Sequence, residues 1–113
     1  QVVPFPFDNT LKLVADYQTA MKAYDENSEP GFVSLEGYMV GKITAMALSK
    51  IEGDITREKF LDTFAQVATF DLGGVTLTYG PGDNQGMDDV FLTTIQPDGS
   101  FKALNNLKYS RFD

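Results

Sequence analysis

The stretch SLEGYMVGKITAMALSKI, residues 34–51, decides how the rest of the chain is read. It carries Leu35, Tyr38, Met39, Val40, Ile43, Ala45, Met46, Ala47 and Leu48, apolar residues spread around most of a helical circumference. A helix with one apolar stripe lies on a surface, whereas one that is apolar on nearly all sides is buried between layers. The expectation is a helix enclosed by other elements, with Ser34 as its N-cap. Gly37, Gly41 and Ala45 recur every four residues and form a smooth strip along which a strand or helix approaches closely. The same spacing joins helices in lipid, but no stretch here reaches the roughly 18 consecutive apolar residues of a membrane span.

On the N-terminal side, Leu13, Val14, Tyr17, Met21 and Tyr24 follow the three-or-four spacing of an amphipathic helix from Asn9 to about Tyr24. Asp8, Asn9 or Thr10 is placed to cap it. Pro30-Gly31 breaks the chain before the central helix. On the C-terminal side, Gly53 is the stop and Thr56 the expected N-cap of a third helix through about Val67. There Ile55 and Phe60 have the spacing of a hydrophobic staple, Glu58 favours the helix dipole, and Phe60, Leu61, Phe64 and Val67 make the buried face. After Gly73-Gly74 the period changes to two, with Val75, Leu77 and Tyr79 alternating with Thr76 and Thr78, which predicts a half-buried strand. A loop from Gly80 to Asp89, a strand from Val90 to Gln96, a turn at Pro97-Asp98-Gly99-Ser100 and a return strand from Phe101 to Leu104 complete the pattern.

The opening Val2-Val3-Pro4-Phe5 reads like the interior of a strand, so the start at Gln1 is expected to be a break in a longer protein. One leading strand and three helices cannot enclose the central helix. Either an N-terminal portion supplies the missing layer, or a second copy does so in a homodimer.

Composition excludes more than it assigns. The chain has 113 residues, 42% of them hydrophobic, enough for one compact unit and not for two cores. Sixteen acidic against nine basic residues give a net charge of −7, which argues against nucleic acid and anionic membrane surfaces as partners. With no histidine and no cysteine, the chain holds no Ser-His-Asp triad, thiol nucleophile, disulfide, or imidazole or thiolate zinc site. The chemistry left to it is that of carboxylates, hydroxyls, amides, lysines and arginines.

Three strings then carry a resemblance: Phe32-Val33-Ser34-Leu35-Glu36-Gly37-Tyr38, Ile55-Thr56-Arg57-Glu58-Lys59, and Phe70-Asp71-Leu72-Gly73-Gly74 followed by Pro81-Gly82-Asp83-Asn84-Gln85-Gly86. In order and spacing they resemble the type I periplasmic binding proteins, nearest to the branched-chain amino acid binding proteins, also called extracellular ligand-binding receptors. The resemblance runs from about Val2 to Leu104. It implies an α/β fold in which this chain is the C-terminal segment of a longer, two-lobed protein, with three helices followed by antiparallel strands. Residues 1–7 would be a crossover strand, 8–72 helices of the N-terminal lobe, and 73–113 a further crossover and the terminal hairpin.

The resemblance also implies a function: the solute-binding component of an ABC-type uptake transporter, without catalysis or cofactor. It would hold a branched-chain amino acid or related small carboxylate between the lobes and present the closed form to a membrane permease. The location would be the periplasm, or the outer face of a membrane to which a lipoprotein is tethered. The ligand-binding residues expected here are Ser34, Glu36, Gly37 and Tyr38 at the start of the central helix, where free N–H groups suit an anion, and Phe5 beside the crossover. Each has a structural alternative: Ser34 as a cap, Glu36 as a first-turn acid, Tyr38 as a core ring, and Phe5 within a Pro4-Phe5-Pro6 stiffener.

Rival readings come from other residues. The same architecture serves as the ligand-sensing domain of receptors and amide-responsive regulators; the ending Lys108-Tyr109-Ser110-Arg111-Phe112-Asp113, with no helix leading onward, favours a free-standing binding protein. Asp83, Asn84, Asp88 and Asp89 suggest calcium, but lack the spacing and the terminal glutamate of an EF-hand. Glu36 with Asp88 or Asp89 would be an acid/base pair of a glycosidase, though nothing in the sequence brings them together.

Overall fold

The computed structural model describes residues 1–66 and 68–105. Three helices, α1 (Lys12–Tyr24), α2 (Phe32–Ser49) and α3 (Arg57–Ala65), precede four short strands, β1 (Ala68–Asp71), β2 (Thr76–Tyr79), β3 (Leu92–Ile95) and β4 (Phe101–Leu104). The strands form two separate antiparallel pairs. In one, Ala68 faces Tyr79 and Asp71 faces Thr76; in the other, Leu92 faces Leu104 and Ile95 faces Phe101.

The three helices and the C-terminal antiparallel strands agree with the sequence. Residues 2–7, expected as a strand, are irregular. Pro4 and Pro6 remove two ladder donors, and the segment is fixed instead by burial of both proline rings and by the Gln18 side-chain amide, which donates to the Pro6 carbonyl at 2.7 Å. The stretch 68–71, expected within a helical region reaching residue 72, is a strand. Helix α3 stops at Ala65, and Ala68 and Phe70 turn inward with the same period two as Leu77. Gly73 and Gly74, at φ 99° and 85°, form the two-residue turn between β1 and β2, which places both central residues at positive φ.

The core joins this hairpin to α1 and α2: Leu13, Val14 and Tyr17 of α1; Leu35, Met39, Ile43 and Ala47 of α2; and Ala68, Phe70, Leu72, Val75 and Leu77 of the hairpin. Lys42 of α2 ties the two parts together by donating to the Leu72 carbonyl at 3.0 Å, with its ammonium 3.9 Å from Asp16. Thr56 caps α3 as expected, its hydroxyl accepting from the Lys59 N–H at 3.2 Å. Phe60 and Phe64 pack on the core, but Leu61 and Ile55 lie mostly exposed, so the buried face is narrower than the spacing suggested. Val67, assigned to that face, lies outside the described residues, as does the ending 108–113.

Helix α1 is not capped by Asp8, Asn9 or Thr10. The Asp8 carboxylate accepts from the Thr10 N–H and hydroxyl in a local turn, and the helix begins three residues later than the spacing indicated. A first-turn donor of α1, the Leu13 N–H, reaches the Gly73 carbonyl at 2.9 Å, so the β1–β2 turn does the capping. Tyr24, at the other end, is 92% exposed.

Helix α2 also departs from expectation. Among the described residues only the stripe Leu35, Met39, Ile43, Ala47 is buried, while Val33 and Val40 are 84% and 58% exposed. Along the small-residue strip, a methyl group added at Gly37 or Gly41 would meet nothing within 4 Å. The layer that the all-round apolar sequence calls for is absent from the described chain. The radius of gyration, 17.1 Å, agrees, since a closed domain of this length has about 13 Å.

Candidate functional site

Three elements that bury little against one another meet in an open groove of about 640 Å³, formed by Phe5, Pro6 and Phe7, the first turn of α2 with the preceding Pro30, and Ser100-Phe101 at the start of β4. The residues before α1 present Phe5 because Pro4 and Pro6 are buried on either side of it and the Asp8 N–H closes back on the Phe5 carbonyl at 3.0 Å. Phe101 is placed by the β3–β4 turn, in which Gly99 takes a positive φ and the Gln96 N–H donates to the Ser100 carbonyl at 2.7 Å. The turn is further held by Asp98, whose carboxylate accepts from the Ser100 hydroxyl and N–H; these bonds hold its pKa below the ordinary value.

The first turn of α2 is the polar edge of the groove. Gly31, not Ser34, is the N-cap, because Gly31 is the extended residue at which the chain enters the helix and the helix starts with Phe32. Ser34 is therefore the third residue of the helix, where its hydroxyl contacts the Tyr17 hydroxyl at 2.6 Å and the Gly31 carbonyl at 3.2 Å. The Gly31 N–H donates to the Tyr17 hydroxyl at 2.9 Å. A tyrosine whose ring is fully buried in α1 thus sets where α2 begins. No side chain caps α2 and no acidic residue sits in its first turn, so its N-terminal N–H groups keep the partial positive charge that attracts anions.

Of the residues expected at a site, Phe5 and Ser34 line the groove together. Glu36 and Gly37 are exposed and lie outside it, and Tyr38 is half-buried with its ring 5.7 Å from that of Tyr17. Phe7, Phe32 and Phe101 join the groove without having been singled out from the sequence. Their rings run in series: Phe7 to Phe5 at 5.6 Å, Phe5 to Phe32 at 6.3 Å and Phe32 to Phe101 edge-on at 5.4 Å. Among the described residues no charged side chain lines it.

The rival sites gain nothing. Asp83 accepts from the Gln85 N–H and Asp88 from the Gln85 side chain. Among the described residues no group of three or more acidic side chains is placed to hold a metal. Neither Glu36, Asp88 nor Asp89 lines the groove.

No protein-family model matches the chain. No curated protein matches it. Among solved structures it is similar to the crystal structure of a possible leucine/isoleucine/valine-binding protein from Rhodopirellula baltica SH 1, with 42% sequence identity and a TM-score of 0.83. The similarity covers 92% of this chain and 28% of that one. The chain thus spans little more than a quarter of the structure it matches, and has the fold of that portion of a binding protein.

Proposed function

We propose that this chain is the C-terminal segment of a two-lobed solute-binding protein that delivers a small amino acid or related carboxylate to an ABC-type permease. The observation that carries the proposal is the 42% identity, sustained over 92% of the chain, to a protein described as a possible leucine/isoleucine/valine-binding protein. The groove supports it with an apolar wall, an uncapped helix N-terminus and, among the described residues, no acidic side chain to repel a carboxylate. The open face of α2 supports it too, because the remaining polypeptide would supply the missing layer.

In this reading the lining contributed by Phe5 and Ser34 is one wall of the cleft, and the opposite wall comes from the rest of the protein. Glu36, Gly37 and Tyr38 would act only where lobe closure brings that wall over the next turn of α2. Closure is a two-state equilibrium, and it is driven only by interactions that the ligand makes in the closed form and lacks in the open one. The permease would recognise the closed form at the periplasmic or outer face of the membrane. The protein binds and releases without chemistry.

Titration calorimetry of the complete gene product against leucine, isoleucine, valine and other amino acids tests this. One-to-one binding in the micromolar range or tighter (about −8 kcal/mol or stronger) is expected. The 113-residue chain alone, holding one wall, should bind the same ligands far more weakly. Absence of binding by the complete product to any amino acid or small carboxylate overturns the proposal, and nanomolar binding by the chain alone refutes the two-wall cleft.

A further inference from the structure

We infer that Asp98-Gly99, in the β3–β4 turn, is a site of spontaneous isoaspartate formation that Ser100 holds in check. Asp98 is the one aspartate in the sequence followed by glycine, and no asparagine is followed by one. A glycine carries no side chain to shield its nitrogen from the preceding carboxyl. In the reaction the Gly99 nitrogen attacks Asp98 Cγ. A C–N bond forms, the C–OH bond of the neutral carboxyl breaks, and the hydroxyl leaves as water with the proton of the nitrogen. Residues 97–100 are exposed, so water is at hand to open the resulting succinimide. When water adds to the main-chain carbonyl of residue 98, the bond from that carbonyl to the Gly99 nitrogen breaks and the nitrogen regains a proton. The chain then runs through the former side chain, as isoaspartate.

The folded turn works against both reacting groups. One carboxylate oxygen of Asp98 accepts from the Ser100 N–H at 2.9 Å and from the Ser100 hydroxyl at 2.6 Å. Both bonds favour the charged form, which has no hydroxyl to expel, and they tie the side chain toward residue 100. The Gly99 N–H is engaged as well, donating to the Gln96 carbonyl at 2.9 Å. With Gly99 at φ 84° and the Gln96 N–H on the Ser100 carbonyl at 2.7 Å, Pro97 to Gly99 form a three-residue hairpin loop. Within this frame the Ser100 hydroxyl is the restraint that a side-chain change removes while the backbone bonds stay. What it protects reaches the groove. Isoaspartate adds a methylene to the main chain between Ile95 and Phe101, which face each other across β3 and β4, and so shifts Phe101 from its edge-on contact with Phe32 at 5.4 Å.

The experiment is prolonged incubation of the complete gene product at neutral pH, with isoaspartate at residue 98 followed by peptide mapping and by methyl transfer from an isoaspartate-specific methyltransferase. Ser100→Ala should form isoaspartate about threefold faster than the parent or more, because a charge-assisted bond to the carboxylate is lost and its neutral fraction rises. Ser100→Thr, which keeps the hydroxyl, should return to the parent rate. Gly73→Ala, which weakens the fold away from this turn, should leave the rate unchanged. In denaturing urea the parent should react faster than when folded, and as fast as Ser100→Ala in urea. In the aged protein the Phe101 amide resonance should move with the isoaspartate fraction. A folded parent that reacts as fast as the denatured one, an unaltered rate in Ser100→Ala, or an equal acceleration by Gly73→Ala overturns the role of Ser100. A Phe101 resonance that stays in place overturns the coupling to the groove. Each of these outcomes leaves the solute-binding reading untouched.

Discussion

Replacing Tyr17 by phenylalanine removes one oxygen from the junction that starts α2, and the structure sets the expected cost. That oxygen accepts from the Gly31 N–H at 2.9 Å and contacts Ser34 Oγ at 2.6 Å, while the ring below it is fully buried. The ring stays, so no cavity forms. The Gly31 N–H loses its acceptor, whereas Ser34 Oγ keeps the Gly31 carbonyl at 3.2 Å. One orphaned donor costs about 1–3 kcal/mol when buried, and a partly buried one belongs near the lower end. Tyr17→Phe should therefore destabilise the chain by about 1–2 kcal/mol, read as a lower urea midpoint with an unchanged slope in far-ultraviolet circular dichroism. Ser34→Ala should cost less, about 0.5–1 kcal/mol, because the tyrosine hydroxyl still accepts from Gly31 and can turn its proton to the Gly31 carbonyl at 3.3 Å. The two losses should be non-additive in the double variant, as for groups sharing one network. A Tyr17→Phe midpoint equal to that of the parent, or a Ser34→Ala loss larger than that of Tyr17→Phe, would refute the assignment of the tyrosine as the anchor of this helix.

Other perturbations test other parts of the fold. Gly73→Ala places a methyl 3.1 Å from the Leu13 nitrogen at a backbone φ of 99°; the left-handed conformation alone costs about 1–2 kcal/mol, so a thermal scan should show a clear loss. Gly41→Ala should instead stabilise this chain by about 0.5–1 kcal/mol, since the added methyl meets nothing within 4 Å; destabilisation would show that the outer face of α2 is already covered. Asp98 should titrate below the ordinary carboxylate range by side-chain carbon NMR, because its partner Ser100 favours the charged form. Its depressed folded pKa means the turn gains stability above the unfolded pKa and loses it as pH falls through the folded value. Ser100→Ala should return the titration toward the ordinary value.

Much of the secondary structure was legible because it follows from local chemistry. Thr56 caps a helix with its own side chain, Gly73-Gly74 supplies the positive φ that a tight hairpin turn needs, and Val75 and Leu77 alternate with threonines on a strand of which one face is buried. The strings around Phe32 and Phe70 pointed to the binding-protein resemblance that the solved structure from Rhodopirellula baltica SH 1 supports at 42% identity. The strand Ala68–Asp71 escaped notice because four residues next to a helix give too short a period to read.

The groove was legible only in halves. Phe5 and Ser34 were identifiable one at a time, but Phe7, Phe32 and Phe101 carry no local signal that separates a wall ring from a core ring. Sequence alone determined that three helices are present and that Pro97–Ser100 is a turn, since both properties reside in neighbouring side chains. Tertiary structure alone decided where α1 and α2 begin. The donor that opens α1 finds its acceptor at Gly73, and the residue that caps α2 is held by a hydroxyl 14 positions earlier. The reason is that an unpaired N–H at a helix end donates to whichever oxygen the fold brings within about 3 Å, and distance along the chain does not tell which oxygen that is.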